Sequence, residues 1–211
     1  VTFTGASANV VFDKSDNALE FADNAKAIFG TGSDLEIYHD ASDSIIFENG
    51  TGVLKLATAG ASVDIVKGSD ASETMAKFII NGACELYHDN TKKIETASGG
   101  ISLTGGAAAN ITALSDGATI TIDMATACHH SVTLGGNRTF AAPSNQVVGQ
   151  SGSIFITQDG TGSRTASFNS AFKFVGGTAP TLTTGAGLTD RIDYIILSSN
   201  VIHCAVSLDV K

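Results

Sequence analysis

One short pattern occurs three times in this chain. Asp34-Leu-Glu-Ile-Tyr-His-Asp40 returns as Cys84-Glu-Leu-Tyr-His-Asp89, and a shift of 49 residues superposes Tyr38, His39, Asp40 and Ile45 on Tyr87, His88, Asp89 and Ile94. A fainter copy, Phe21-Ala22-Asp23-Asn24-Ala25-Lys26-Ala27-Ile28, aligns with Tyr87-His88-Asp89-Asn90-Thr91-Lys92-Lys93-Ile94. The shared pattern is an aromatic residue, His or Ala, Asp, four mostly polar residues and Ile. Catalytic residues seldom recur in triplicate along one short chain, whereas a unit that stacks on copies of itself does. The triplets at Phe21/Asp23, Tyr38/His39/Asp40 and Tyr87/His88/Asp89 therefore read as repeat joints. In each, the aromatic packs between chains, the Asp holds a turn and the Ile five residues on opens the next strand.

Composition says what such a unit is made of. The 211 residues include 23 Gly, 2 Pro and no Trp, with 43% hydrophobic and only 16% charged residues. Abundant Gly, Thr, Ser, Ile and Val favour short strands joined by tight turns. Collagen is excluded because Gly does not recur at every third position. Disorder is excluded by the apolar content and its regular placement. The formal net charge is −9 and no Lys/Arg cluster exists, which speaks against a nucleic-acid partner held by phosphate neutralisation. No apolar run approaches the ~20 residues of a membrane-spanning helix, so no membrane insertion is expected. Cys84, Cys128 and Cys204 are odd in number, widely spaced and set among apolar neighbours. They read as reduced, buried thiols of a protein folded in a reducing cytoplasm. The start at Val1 without Met reads as a processed or trimmed piece of something longer.

Taken in order, residues 1–17 are predicted to hold two short strands with turns at Gly5 and Asp13–Asn17. Asp13, Ser15 and Asn17 have the alternate spacing of a calcium loop. Ala18 stands where that loop needs Gly and no Glu closes it, so an Asx-type turn is the reading. Gly30-Thr31-Gly32 is a turn lacking the third Gly and following helix of a phosphate loop. Leu35, Ile37 and His39 share one strand face, and Glu36, Tyr38 and Asp40 the other. Ile45–Phe47 and the alternating Val53–Thr58 predict a hairpin about Asn49-Gly50, followed by a short strand at Val63–Val66. Over 70–80, a cap at Asp70 or Ser72 permits a helix. Asn81-Gly82 between Phe78–Ile80 and Ala83–Tyr87 favours strand, turn, strand instead.

Gly105–Ala109 is small and flexible and marks a boundary between a repetitive β shaft, 1–105, and a globular β domain, 110–211. In the second half, strands are predicted at Ala118–Met124, His130–Leu134, Ser153–Thr157, Ser163–Phe168, Asp193–Ser198 and Val201–Leu208. Turns fall at Gly135–Arg138, Asp159-Gly160, Gly176-Gly177 and Ser199-Asn200. This spacing describes a β-sandwich of jelly-roll type. The last hairpin is apolar on both faces, as in a core or a subunit interface.

The first half poses a packing problem. A lone short hairpin cannot bury enough surface to offset its conformational entropy. The copies are spaced by 17 and then 49 residues, too uneven for a single-chain solenoid. Three chains wrapping together resolve this. The expected class is all-β: an elongated homotrimeric repeat shaft followed by a jelly-roll-like β-sandwich knob.

Several segments carry a resemblance. Asp-Asn-Ala-Lys-Ala-Ile-Phe-Gly (23–30), Ser33–Asp40 and Asn81–Thr96 resemble repeat segments of tail-fibre-like virion proteins of tailed bacteriophages, marine ones especially. Leu134–Thr139, Gly149–Gly152, Gln158–Arg164, Lys173-Phe174 and Gly176–Leu182 are similar to a C-terminal module of the same kind of protein. The two matches cover most of the chain. The resemblance implies a structural virion component, homotrimeric, bound to other virion tail proteins, assembled in the host cytoplasm and resident in the phage tail. It also implies host-surface binding at a distal knob. It implies no particular receptor and no site residues, and the family's variation after the repeat Tyr assigns His39 and His88 no catalytic part.

The chemistry-bearing residues give little else. His39 and His88 can meet symmetry copies on a three-fold axis, but Ala22 replaces His in the first copy and no His-x-His pair exists. Cys128-His129-His130 and His203-Cys204 alternate in direction along strands, so at most half of each faces one side. No metal and no cofactor are expected. Glycoside hydrolysis needs two carboxyl groups in a groove with aromatic platforms. The second half offers Asp116, Asp123, Asp159, Asp190, Asp193 and Asp209, with no Glu, no Trp and one Tyr. No Gly-x-Ser-x-Gly elbow occurs, and the chain is not expected to be an enzyme. The Asn-x-Thr matches at Asn110 and Asn137 are chance in a bacterially made product.

Asn137, Arg138, Asp159, Arg164, Asp190 and Arg191 are the candidate receptor-binding residues. They are polar, lie at turns and suit hydrogen bonding to a host surface glycan or protein. Three such sites on one body gain avidity. The alternative readings are a capsid fibre, decoration or tail-connector protein without receptor binding, and less favourably a polysaccharide-degrading tailspike.

Overall fold

A computed structural model describes residues 1–211, and it is all-β, with a single 3₁₀ turn at Val175–Gly177 as its helical element. The chain divides into two compact units, Val1–Gly105 and Gly106–Lys211.

The first unit is three antiparallel meanders in series. β1 (Thr2–Phe3), β2 (Val10–Asp13) and β3 (Ala18–Phe21) form one sheet, and β4 (Ala27–Phe29), β5 (Leu35–His39) and β6 (Ser44–Glu48) a second. β7 (Ser62–Lys67), β8 (Glu73–Ile79), β9 (Cys84–His88), β10 (Thr91–Ala97) and β11 (Gly100–Leu103) form a five-stranded third. Each strand pairs with its sequence neighbour, because connections of two to six residues favour antiparallel pairing of adjacent strands. The β8–β9 hairpin is present where Asn81-Gly82 signals it. It closes through Ile79 N–H to the Ala83 carbonyl (3.1 Å) as a three-residue loop, with Asn81 rather than Gly82 in the left-handed region (φ 55°). The residues over 70–80 that admit a capped helix are strand instead.

The expected hairpin about Asn49-Gly50 is not formed. Residues 49–61 contain no strand, and Asn49 N–H instead returns to the Asp34 carbonyl at 2.7 Å. The alternation over Val53–Thr58 has no neighbouring strand to ladder with, and an unpaired alternating segment has no reason to stay extended. Val53 and Leu56 are each 71% exposed.

The first unit has almost no interior. Its buried residues are Ala25, Ala76 and Glu85, while large apolar side chains such as Phe12, Phe29, Ile46, Phe78 and Leu86 stand open.

The second unit winds differently from a jelly roll. β12 (Ile111–Ala113), β14 (His129–Leu134) and β16 (Ser151–Gln158) lie side by side and parallel in one sheet. β13 (Thr119–Ile120), β15 (Arg138–Phe140) and β17 (Ala166–Phe168) lie parallel in another. The chain thus alternates between two sheets through three coils. β18 (Phe172–Phe174), β19 (Thr189–Ser198) and β20 (Val201–Val210) then extend the larger sheet to the order β12-β14-β16-β19-β20-β18. The antiparallel β19–β20 hairpin joins the coils through β16. Two sheets do share a core, but a jelly roll is antiparallel throughout. The correction arises because apolar alternation fixes which side a strand buries, not which way its neighbour runs.

Two strands are shorter than the sequence suggests. Of Ala118–Met124, only Thr119–Ile120 is laddered, plus one bridge at Asp123–Ser144. Asp123 Oδ1 accepts from Ala125 N–H (3.0 Å) and bends the chain away. Of Ser163–Phe168, only Ala166–Phe168 is strand, since Ser163 is left-handed (φ 58°) and donates to the Thr184 carbonyl.

Between the sheets, Ile120, Leu134, Phe140, Ile154, Ile156, Ile192, Ile196 and Ile202 are sealed from solvent. Phe140 stacks on Phe168 (4.9 Å), which meets Phe172 and Phe174 edge-on at 5.6 and 5.1 Å. Each such pair adds about 0.5–1.5 kcal/mol to its burial. Gly152 is required where β16 passes β14's entry: a Cβ there would lie 1.6 Å from the Cys128 carbonyl oxygen.

Candidate functional site

Two sets of residues were singled out by the sequence: the repeat joints and the polar residues of the second unit's turns.

The three joints adopt three different backbones. At Tyr87-His88-Asp89, β9 turns directly into β10 with Asp89 (φ 47°) and Asn90 (φ 58°) both left-handed, and His88 pairs with Thr91. This two-residue turn matches strand twist and favours Asn and Asp. At Tyr38-His39-Asp40, the Asp40 carboxylate accepts from Ser42 and Asp43 N–H at 3.0 and 2.8 Å, and these two bonds hold it below the usual carboxylate range. His39 Nδ1 lies 3.3 Å from Ser44 Oγ. At Phe21-Ala22-Asp23, β3 ends and the chain crosses to the next sheet: Asn24 N–H donates to the His39 carbonyl (2.7 Å) and Ala25 N–H to that of Ala22. So the Asp accepts turn hydrogen bonds at Asp40 alone. At Asp89 it is the backbone that makes the turn. His39 and His88 lie in separate sheets, and His88 is exposed with Nδ1 3.4 Å from Asp89.

A Lys–Glu–Tyr cluster flanks two of the joints and was not singled out from the sequence. Tyr87 Oη donates to Glu85 Oε2 at 2.5 Å, and Lys92 Nζ reaches Glu85 Oε1 at 3.1 Å and also Glu95. The bond from Tyr87 and the Lys92 ammonium lower Glu85's pKa. Glu95 and Glu85 together push Lys92 up to about 12. In the preceding sheet Lys26 pairs with Glu36 (2.7 Å) and sits 4.7 Å from the centre of the Tyr38 ring. The Glu-x-Tyr spacing common to Glu36/Tyr38 and Glu85/Tyr87 was the available signal.

In the second unit, the coil corners stack. Arg138, opening β15, grips Asp116 of the preceding corner through Nε (2.7 Å) and Nη2 (2.5 Å), with Gly135 N–H adding a third bond. Asn137 Oδ1 accepts from Thr165 N–H of the following corner at 3.0 Å. Arg164 holds Asp159 through Nε (3.1 Å) and Nη2 (2.8 Å), while Thr161 and Gly162 N–H donate to the same carboxylate. Arg164's fork is the first cause of an Asp159 pKa lowered to about 2. Asn137 and Arg138 therefore tie coil to coil, while Asp159 and Arg164 brace a single corner. Their bidentate geometry is the strongest form of carboxylate pairing.

Asp190 requires a correction. It lies within β19 rather than at a turn and is 2% exposed. Its oxygens accept from Thr183 N–H (2.7 Å), Thr183 Oγ1 (2.7 Å) and Asp209 N–H (2.9 Å), so it fastens the C-terminal strand. A carboxylate near the start of a strand reads as a turn residue when the strand is drawn too short; Asp193–Ser198 omits the first four residues of β19. Arg191 is half-exposed and lies 3.1 Å from Asp193.

The Cys/His pairs do not gather. His130 and Cys204 point into the core from separate strands, and His129 and His203 point the other way. Burial pushes Cys204 up to about 11 and Tyr194 up to about 12; the Tyr194 hydroxyl donates to the Cys128 carbonyl (2.8 Å). His130 is sealed with both ring nitrogens lacking a hydrogen-bond partner. Burial lowers its pKa, with the Ala127 carbonyl and Asp123 opposing less strongly. Cys84, expected to be buried, is exposed, and Cys128 is half-buried.

Asp13, Asp16 and Glu20 bring carboxylate oxygens within 4.8 Å of one another on the β2–β3 hairpin. Asp13 is already engaged as an Asx turn, accepting from Ser15 N–H and Oγ at 2.7 and 2.5 Å. An open depression of about 480 Å³ lies over β18–β20, lined by Lys173, Phe174, Asp193 and His203 among others. Lys173 donates to the Ser170 carbonyl and Asp193 accepts from Ser153 Oγ at 2.7 Å. No helix is long and apolar enough to cross a membrane. No known family model, curated protein or solved structure matches the chain.

Proposed function

We propose that the chain is a self-associating structural protein of a tailed-bacteriophage virion, a homotrimeric tail fibre that attaches to the host cell surface. The phage assignment rests on the resemblance of segments 23–30, 33–40 and 81–96, and of the short segments at 134–139, 149–152, 158–164, 173–174 and 176–182, to tail-fibre-like proteins. The observation that carries self-association is the missing interior of the first unit, whose large apolar side chains have nothing to cover them within the chain. A unit built this way is completed by other chains. Its function is mechanical before it is chemical. The two-sheet unit would be the adhesive end, with its contacts on exposed loops.

One observation favours a second reading, a capsid decoration or tail connector without receptor binding. Asn137, Arg138, Asp159 and Arg164 are engaged within their own chain, and Asp190 is buried. Light scattering tests assembly: three times the 21.5 kDa chain mass is expected, and a monomer refutes it. Binding of the purified chain to whole host cells, blocked by its own antibody, separates fibre from decoration. Release of reducing sugar from host envelope would instead establish a tailspike enzyme.

A further inference from the structure

The five-stranded sheet of the first unit has two unlike faces. Its register pairs Asp64 with Lys77, Lys77 with Glu85, and Tyr87 with Lys92, so these residues share one face. Lys77–Asp64 (3.4 Å) and Lys92–Glu85 (3.1 Å) lace that face internally. The same register puts Ile65, Ala76, Leu86, Ile94 and Leu103 in one row across the other face, with Phe78 opposite Cys84 and Ile101 opposite Thr96 beside it. No charged side chain occurs among these pairs; Lys93 falls in the bulge of β10. Phe78 is 45%, Leu86 48% and Ile101 72% exposed. A sheet that is salt-bridged on one side and apolar on the other has its solvent side and its buried side already decided.

The total exposed surface says how much cover is missing. The chain exposes 13220 Å², whereas a compact monomer of its mass exposes about 9,200 Å². Two separate globules of half the mass would together expose only about 11,000 Å². The excess of about 2,000–4,000 Å² is the size of an obligate subunit interface, and such interfaces resemble a domain core cut in half. The face carries no carboxylate, guanidinium or ammonium pairs to select a charged partner. What fits it is another flat apolar sheet face, and every copy of this chain both lacks that cover and supplies it.

We infer that the Ile65–Phe78–Leu86–Ile94–Leu103 face is where copies of this chain pack on one another, leaving Tyr87 and its Lys–Glu partners on the outside of the assembly. This rests on the self-association proposed above and names its surface. It separates two neighbouring residues: Leu86 belongs to the interface, and Tyr87 does not.

Cys84 is a built-in probe, since it is exposed in the single chain and lies on this face. The full chain is alkylated under native conditions and each cysteine is read by peptide mass spectrometry, with light scattering on the same sample. The expected result is an oligomer in which Cys84 reacts about ten-fold or more slowly than in the unfolded chain. Leu86→Glu is expected to dissociate the oligomer and restore Cys84 reactivity, and Tyr87→Ala to leave both readings unchanged. An oligomer whose Cys84 reacts at the unfolded rate overturns this face while leaving assembly standing. A monomeric wild-type chain overturns both. If Leu86→Glu does not fold, the wild-type alkylation rate still decides.

Discussion

At the scale of residues, three buried or closely fitted groups dictate measurable behaviour. His130 is sealed in the core without a hydrogen-bond partner, and its pKa lies below the ordinary 6.5 because burial disfavours the imidazolium. The unfolded chain therefore binds the proton more readily than the folded one. Stability contributed by neutral His130 is complete above about pH 6.5 and falls as pH drops from there toward the folded value. Melting temperature measured by circular dichroism should decline between neutral pH and about pH 5, and His130→Leu should flatten that slope. A slope unchanged in the variant would place the proton uptake elsewhere. A separate acid step follows from Asp159, held at about 2 by the Arg164 fork. Its contribution is present above the ordinary 3.8 and is lost as pH falls from there toward 2, so Asp159→Asn should reduce sensitivity in that window, leaving the share of Asp40 and Asp116. Gly152→Ala has no room, with the Cys128 carbonyl 1.6 Å from the new methyl carbon. It should cost more than about 3 kcal/mol in chemical denaturation of the second unit.

At the scale of elements, the second unit is a coil stack held by core aromatics, by the Arg138–Asp116 pair between corners and by the Arg164–Asp159 pair within one. Phe140→Ala removes a ring with no exposure that stacks on Phe168. It should destabilise by about 3–5 kcal/mol, read as a drop in the denaturation midpoint. Strand identity along this unit was legible, because apolar alternation over His130–Leu134, Ser153–Thr157 and Val201–Leu208 survives in β14, β16 and β20. Strand direction was not. Equivalent positions Ile111, His129 and Ser153 are 18 and then 24 residues apart and share no residue type, so no repeat announces the coils. The ladder of Asp116, Arg138, Asp159 and Arg164 was half legible. The turns holding them carry Gly and Asp signatures, but Asp116 lies 22 residues from its Arg138 partner. Only the stacking brings the two together. In the first unit, Asn81-Gly82 marked a true hairpin while Asn49-Gly50 did not, because a turn signal forms a hairpin only when a second strand follows to be paired.

At the scale of the whole molecule, the first unit has no core of its own and leaves its large apolar side chains uncovered. The aromatic-(His/Ala)-Asp pattern made three copies of one unit readable in the sequence. Its copies nonetheless differ in backbone, so what recurs is a place where strands end rather than one turn geometry. The deeper regularity is the two-faced five-stranded sheet: a Lys–Glu–Tyr cluster on one side and an uncovered apolar row on the other. If that row is closed by copies of the chain, folding and assembly are linked, and the melting temperature should rise with protein concentration. Sedimentation equilibrium of the full chain at micromolar concentration tests this most directly. A mass of about three times the 21.5 kDa chain, unchanged on moderate dilution, is the expected result. A stable single-chain mass, with melting independent of concentration, would contradict it.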